Sequence, residues 1–134
     1  MVVSILLWNT EGIRQPLQVL LEEAKYDILA IQEPWINKQT KSTYCPRSCK
    51  YHLIHAPEGH TALYITKRLP VSQWDFEATD EWCWARLKGF EPGLEVWSIY
   101  NPPNSKRVPR ALLGRPKPSL PTILAGDFNL FHPL

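Results

Sequence analysis

Residues 122–129 read TILAGDFN, a short apolar run that ends in an acid and an amide. Side chains alternate between the two faces of a strand, so we expect Asp127 and Asn129 to point to the same side. A second apolar run, ILAI at residues 28–31, is followed closely by Glu33. Oxygen ligands delivered at strand ends build divalent-metal sites. The sequence therefore predicts a metal-dependent site at the ends of two strands.

The composition is that of a single globular domain. The chain has 134 residues, of which 44% are hydrophobic and 21% charged, with a net charge of +2. That length allows one sizeable core, and the net charge is too small to indicate a nucleic-acid partner by itself. Residues 35–56 and 102–125, however, contain basic side chains and no acidic ones. These two segments are read either as solvated loops or as a rim that follows a phosphate backbone.

Cysteine usage and the start of the chain predict a reduced, intracellular protein. The three cysteines are an odd number, and Met1 leads into an apolar run without the basic start of a secretory signal. Cys45 and Cys49 precede two histidines, but the spacing matches no usual zinc pattern, so no zinc is expected. No apolar run is long enough to span a bilayer, and no membrane partner is expected.

The order of the apolar segments predicts a mixed α/β fold. An apolar run at residues 2–8 predicts a first strand buried on both faces, and residues 15–25 have leucines at helical spacing. Residues 28–33 predict a second buried strand parallel to the first. Residues 34–49 lack periodicity and predict a long loop, and prolines within residues 101–121 exclude a long helix. Antiparallel strands are predicted at residues 51–55, 62–66, 71–76, 82–87 and 94–100.

The polar residues that follow these strands resemble those of the endonuclease/exonuclease/phosphatase superfamily. More narrowly, the chain is similar to the endonuclease domain that precedes the reverse transcriptase in non-LTR (LINE-type) retrotransposons. Any one of the shared motifs is weak, but several in the same order are specific. They are WN at 8–9, DILAIQEPW at 27–35, ALYITKRL at 62–69, YNPPN at 100–104 and GDFNLFHPL at 126–134.

The resemblance implies a DNase I-like α/β fold, which is a four-layer α/β sandwich with two mixed β-sheets flanked by helices. Residues 1–134 would form the N-terminal part of one such domain. In the family, the domain continues to further strands and a Ser-Asp-His motif whose histidine acts at the scissile phosphate. His132 does not replace that histidine, because it leaves the same strand as Asn129. We therefore expect an incomplete sandwich with unpaired strand edges, weakly active or inactive by itself.

The resemblance also implies roles for individual residues. Glu33 would bind the catalytic Mg²⁺, or alternatively Mn²⁺, and Asn9 would support the metal site. Asp127 would orient or deprotonate the attacking water, Asn129 would hold the scissile phosphate, and Tyr100 would contact the same phosphate. The candidate DNA contacts are Asn101, Asn104, Lys106, Arg107, Lys38 and Lys41.

The implied function is DNA nicking, from which an attached reverse transcriptase primes at the released 3′ hydroxyl, in the nucleus if the element is functional. Two alternatives stay open. One is an inert or nucleic-acid-binding remnant without catalysis, and the other is a phosphatase or abasic-site repair nuclease of the same superfamily. Taken singly, strand-end Asp and Asn residues also fit turns and helix caps. His60 has no acidic neighbour close in sequence and is expected to be an ordinary surface histidine.

Overall fold

The computed structural model describes residues 3–70, 74–88, 93–102 and 121–127, with the backbone alone for Asp127. These residues form eight strands and one helix. In chain order the elements are β1 (Ile5–Asn9), α1 (Arg14–Glu23), β2 (Ile28–Gln32), β3 (Tyr51–Ile54), β4 (Thr61–Thr66), β5 (Trp74–Ala78), β6 (Trp82–Leu87), β7 (Leu94–Tyr100) and β8 (Thr122–Asp127).

The strands form two mixed sheets of four strands each. The first sheet has the order β1-β2-β4-β3, with β1 and β2 parallel and the other pairs antiparallel. The second has the order β5-β6-β7-β8, with β7 and β8 parallel and the other pairs antiparallel. The predicted mixed α/β architecture with two sheets is confirmed at this level. The single helix of the described residues, α1, is too short to cross a membrane.

Helix α1 connects the two parallel strands β1 and β2. Pro16 lies in its first turn, where a missing N–H costs nothing. Leu17, Leu20 and Leu21 are buried and share an apolar cluster with residues of β2 and β4. The helix ends before the predicted limit at residue 25 because Ala24 adopts a left-handed conformation, with its N–H donating to Leu20 O at 3.1 Å.

The main core lies between the two sheets. Every residue of β2 and β4 is buried, because one face of each strand packs toward α1 and the other toward the second sheet. On the inner side, Ile28 and Leu63 belong to the same apolar cluster as Ala85 and Val96. The continuous apolar run of β2 therefore corresponds to a strand covered on both faces, as predicted.

Strand β1 differs from its prediction. The apolar run at residues 2–8 predicts a strand buried on both faces, but Leu7 and Trp8 are 48% and 43% exposed. Among the described residues, β1 has a neighbour on one side only, and so does β8, where Ile123 and Leu124 are also exposed. The prediction was wrong because an apolar run shows only that a strand is able to be buried on both faces. Whether both faces are covered depends on the position of the strand in its sheet.

Candidate active site

The carboxyl ends of β1, β2, β7 and β8 lie at the same edge of the two-sheet core. Asn9 is aligned with Gln32 across β1 and β2, and Tyr100 with Asp127 across β7 and β8. The two sheets are joined at this edge, because Gln32 Nε2 donates to Ser98 Oγ at 2.9 Å. Several strand-end residues singled out by the sequence are therefore brought to one edge of the protein, which we call the strand-end edge.

A buried polar network connects the sheets beneath this edge. Gln32, Thr61 and Ser98 are at most 1% exposed. Ser98 Oγ accepts the Gln32 amide and is in hydrogen-bond contact with Thr61 Oγ1, which in turn donates to Ile31 O at 3.0 Å. Because each group has a partner, the network stabilises the relative position of the two sheets.

Removing the Ser98 hydroxyl is expected to destabilise the fold. Ser98→Ala leaves Gln32 Nε2 without its buried acceptor, which costs about 1–3 kcal/mol of unfolding free energy. The double variant Ser98→Ala/Gln32→Met removes both polar partners and is expected to recover most of that loss. Urea denaturation measures both variants. Equal stability of Ser98→Ala and the native chain would contradict this role.

Glu33 follows β2 with a left-handed backbone, φ 48°. Its N–H donates to His60 O at 2.8 Å, and its carbonyl accepts the Gly12 N–H at 2.7 Å and the Thr10 hydroxyl at 3.0 Å. A left-handed conformation is costly for a residue with a Cβ and persists where the surroundings impose it, often at functional sites. The backbone of Glu33 is thus held on both sides, while its carboxylate is left for another role.

A cleft of about 350 Å³ opens beside Glu33. Its lining includes the acidic side chains of Glu11, Glu33 and Glu58. His60 lines it as well. Lys41 Nζ lies 3.2 Å from Glu58 Oε1 and offsets part of this negative charge. Carboxylate oxygens of this kind are the ligands that Mg²⁺ and Mn²⁺ accept most readily.

Asn9 is the last residue of β1. It is aligned with Gln32 on β2, the residue directly before Glu33. Its Oδ1 accepts the N–H of Glu11 at 2.8 Å, which forms a tight turn between the strand and the cleft. In the part of the chain that the structure describes, no three His, Cys, Asp or Glu side chains are grouped so that they could hold a metal ion. A cation here would need amide oxygens or the Asp127 side chain besides Glu33.

His60 and Tyr100 form another part of the strand-end edge. Their rings stack, with centroids 5.0 Å apart and planes inclined by 25°. The segment before β6 holds both backbones, because His60 N–H donates to Asp80 O at 2.7 Å and Tyr100 N–H donates to Glu81 O at 2.8 Å. His60 is exposed, as expected of a surface histidine, but its stacking on Tyr100 was not predicted. No sequence spacing signals it, since it depends on contacts between the two sheets.

The other predicted site residues have different surroundings. Asn101 follows β7 and is only 3% exposed, so its side chain faces the interior rather than solvent. Lys38 and Lys41 are exposed in the loop that follows Glu33. For Asp127 the backbone is placed at the strand-end edge. Outside the described residues lie Asn104, Lys106, Arg107 and Asn129.

No model of a protein family matches the chain, and no curated protein matches it either. Its function is therefore inferred from the order of its motifs and from the geometry of the strand-end edge.

Proposed function

We propose that this chain is the N-terminal part of a DNase I-like, Mg²⁺-dependent endonuclease domain that nicks DNA, of the kind found in non-LTR retrotransposons. The main support is the strand-end edge, where Glu33 lines a cleft, Tyr100 stacks on His60 beside it, and Asp127 ends the strand next to Tyr100. The finer fold in this proposal is a four-layer sandwich with helices outside both sheets. The burial of α1 against the first sheet supports one of those outer layers.

The donor set of the edge fits magnesium. Glu33 and Asn9 offer a carboxylate and an amide oxygen, which suit a hard cation better than they suit zinc. A bound Mg²⁺ would supply a Lewis acid for the charge that develops on the phosphate. Asp127 would orient the attacking water, and Tyr100 and Asn129 would donate hydrogen bonds to the phosphate oxygens.

DNA is the proposed substrate because two segments of the chain carry basic and no acidic side chains, and one of them begins shortly after Glu33. Lys38 and Lys41 are exposed on the loop that begins after Glu33. Lys106 and Arg107 belong to the second segment without acidic residues. Lysine and arginine contacts to phosphates position a duplex without reading its sequence. A reverse transcriptase attached to the same polypeptide, acting in the nucleus, is part of this proposal on the motif resemblance.

The experiment that tests the proposal is conversion of supercoiled plasmid to open circles. We expect slow nicking with Mg²⁺, none with a chelator, and loss of nicking in Glu33→Ala and in Asp127→Ala. An abasic duplex and a phosphorylated inositol are assayed in parallel, because a repair nuclease or a phosphatase would prefer one of them. A strong preference for either substrate would overturn the retrotransposon assignment.

A second candidate function is DNA binding without catalysis. It is favoured by the finding that the described residues do not group three acidic, histidine or cysteine side chains for a metal. In that case the chain would bind duplex DNA equally well with Mg²⁺ or chelator, and binding would weaken steeply with added salt. Fluorescence anisotropy of a labelled duplex, combined with absence of plasmid nicking, would favour this candidate.

Replacing His60 is expected to impair nicking without unfolding the chain. His60 is exposed and contacts the site through its ring, so His60→Ala is expected to lower the nicking rate by about tenfold or more through loss of Tyr100 positioning. His52→Ala is the matched control, because that ring packs against Trp74 on another part of the fold. Equal rates for both variants would exclude His60 from the site.

A further inference from the structure

Two of the three cysteines lie together in the loop before β3. Cys45 is exposed, Cys49 is buried, and both are free thiols. A turn brings them close, because Cys49 N–H donates to Pro46 O at 2.9 Å. The two thiols also influence each other's pKa, as expected of neighbouring side chains. They therefore form a dithiol within one turn of the chain.

The protein on both sides of this turn is anchored. Before it, the Tyr64 hydroxyl donates to Tyr44 O at 2.6 Å. After it, the Tyr51 hydroxyl donates to Tyr26 O at 2.6 Å. Tyr51 and Tyr64 are buried and belong to the same apolar cluster as Cys49. The segment that carries the two cysteines is therefore held against the apolar cluster by the folded protein.

The two thiols differ in acidity. A hydrogen bond from the Cys45 thiol lowers the pKa of Cys49 to about 6, with further help from a Tyr51 backbone hydrogen bond and the Lys67 ammonium, against the opposing effect of burial. The same hydrogen bond, together with burial, raises the pKa of Cys45. The shifts favour the thiolate at Cys49 and the protonated thiol at Cys45.

Cys49 is only 6% exposed, but it borders open space. It lines an open depression of about 540 Å³, together with the basic residues Lys50, Lys67 and Arg68. Cys83 provides the contrast within the same chain. Burial raises the pKa of Cys83 to about 12, and its thiol lies 3.5 Å from Ile54 O in the core. Only the cysteines of the turn combine a thiolate, a neighbouring thiol and an open approach.

We propose that Cys45 and Cys49 are a redox-active dithiol that a peroxide oxidises to an intramolecular disulfide. The Cys49 thiolate attacks one peroxide oxygen, the O–O bond breaks, and the released hydroxide takes up a proton to leave as water. Cys45 then attacks the sulfur of the resulting sulfenic acid, so that the S–S bond forms and the S–O bond breaks. The hydroxide released from the S–O bond combines with the thiol proton of Cys45 and leaves as a second water. Two thiols lose two electrons and two protons, and one peroxide becomes two waters. This chemistry does not depend on nuclease activity.

The sequence offers a direct test, because trypsin cleaves after Arg47, between the two cysteines. The native chain is treated with hydrogen peroxide, alkylated, digested without reductant and analysed by mass spectrometry. We expect peptides 42–47 and 48–50 to be joined, lighter than their sum by two hydrogens, and to separate after dithiothreitol. Separate alkylated peptides after peroxide, or linkage between two chains, would overturn the proposal.

Three variants assign the roles. Cys49→Ala is expected to abolish the linkage, and Cys45→Ala to leave a sulfenic acid at Cys49 that dimedone traps. Cys83→Ser is the control and is expected to leave the rate of linkage unchanged. Trapping of dimedone at Cys45 or Cys83 instead of Cys49 would contradict the assignment. Circular dichroism of Cys45→Ala, whose side chain is exposed, verifies that the fold is intact.

The pH dependence of alkylation gives a further measurement. Cys49 is expected to react with iodoacetamide half-maximally near pH 6, because its thiolate forms above that pKa and is lost below it. In Cys45→Ala the midpoint is expected to rise toward the ordinary value of 9.0, since the main hydrogen bond is gone. An unchanged midpoint in that variant would show that Cys45 does not activate Cys49.

Discussion

Glu33→Gln is expected to lower Mg²⁺-dependent plasmid nicking by about a hundredfold or more, because it removes the one charged ligand that we assign to the cation. The contacts that hold Glu33 in the fold come from its backbone, to His60 O, Gly12 N–H and Thr10 Oγ1. Glutamine keeps those contacts and the side-chain volume. The loss is therefore expected in activity and not in the unfolding midpoint.

Glu58→Gln is the matched control for this prediction. Glu58 lines the same cleft, but its carboxylate is paired with Lys41 at 3.2 Å. We expect a change smaller than about threefold, since the pair is exposed and contributes little. If Glu58→Gln lost as much activity as Glu33→Gln, the overall charge of the cleft would be responsible rather than a ligand at Glu33.

Metal affinity gives a readout that does not depend on turnover. Calorimetric titration of the native chain with Mn²⁺ is expected to show one site that weakens by about tenfold or more in Glu33→Gln. Glu58→Gln is expected to retain it. Equal Mn²⁺ affinity in the native chain and Glu33→Gln would remove Glu33 from the proposed metal site, whatever the plasmid assay gives.

Among substitutions that add one methyl group at the strand-end edge, Gly126→Ala is expected to destabilise the fold most. Gly126 is aligned with Ile99 across the parallel pair β7 and β8. A Cβ at Gly126 would lie 2.2 Å from the backbone oxygen of Ile99, which cannot move without separating the strands. We expect a loss of about 3 kcal/mol in unfolding free energy, measured by urea denaturation.

Gly12→Ala separates this steric effect from the general cost of replacing glycine. Gly12 has φ +72°, but no atom lies within 4 Å of a Cβ built there. The expected loss is about 1 kcal/mol, from the left-handed backbone alone. Similar losses for the two variants would mean that β7 and β8 adapt to the added methyl group.

Because Gly126 precedes Asp127, a loss of nicking in Gly126→Ala at a temperature where it stays folded would show how tightly the site depends on strand pairing.

The elements that the sequence predicts well are those that local patterns determine. The leucines of α1 recur at helical spacing, and β2 is a short apolar run, so both are recognised from a few neighbouring residues. The absence of periodicity after Glu33 likewise corresponds to a loop without helix or strand up to residue 50. The apolar runs also predicted that Glu33 and Asp127 would stand at the ends of separate strands; β2 ends at Gln32, directly before Glu33, and β8 spans Thr122–Asp127.

The sequence by itself determined the succession of strands and the polar residues at their ends, because side-chain alternation and helical periodicity are properties of adjacent residues. Tertiary structure alone decided that Trp8 on β1 is exposed and that His60 stacks on Tyr100. It also decided the acidity of Cys49, which depends on Lys67 as well as on Cys45. These features arise where segments far apart in the chain come into contact. The packing and charge interactions at such contacts cannot be read from patterns of adjacent residues.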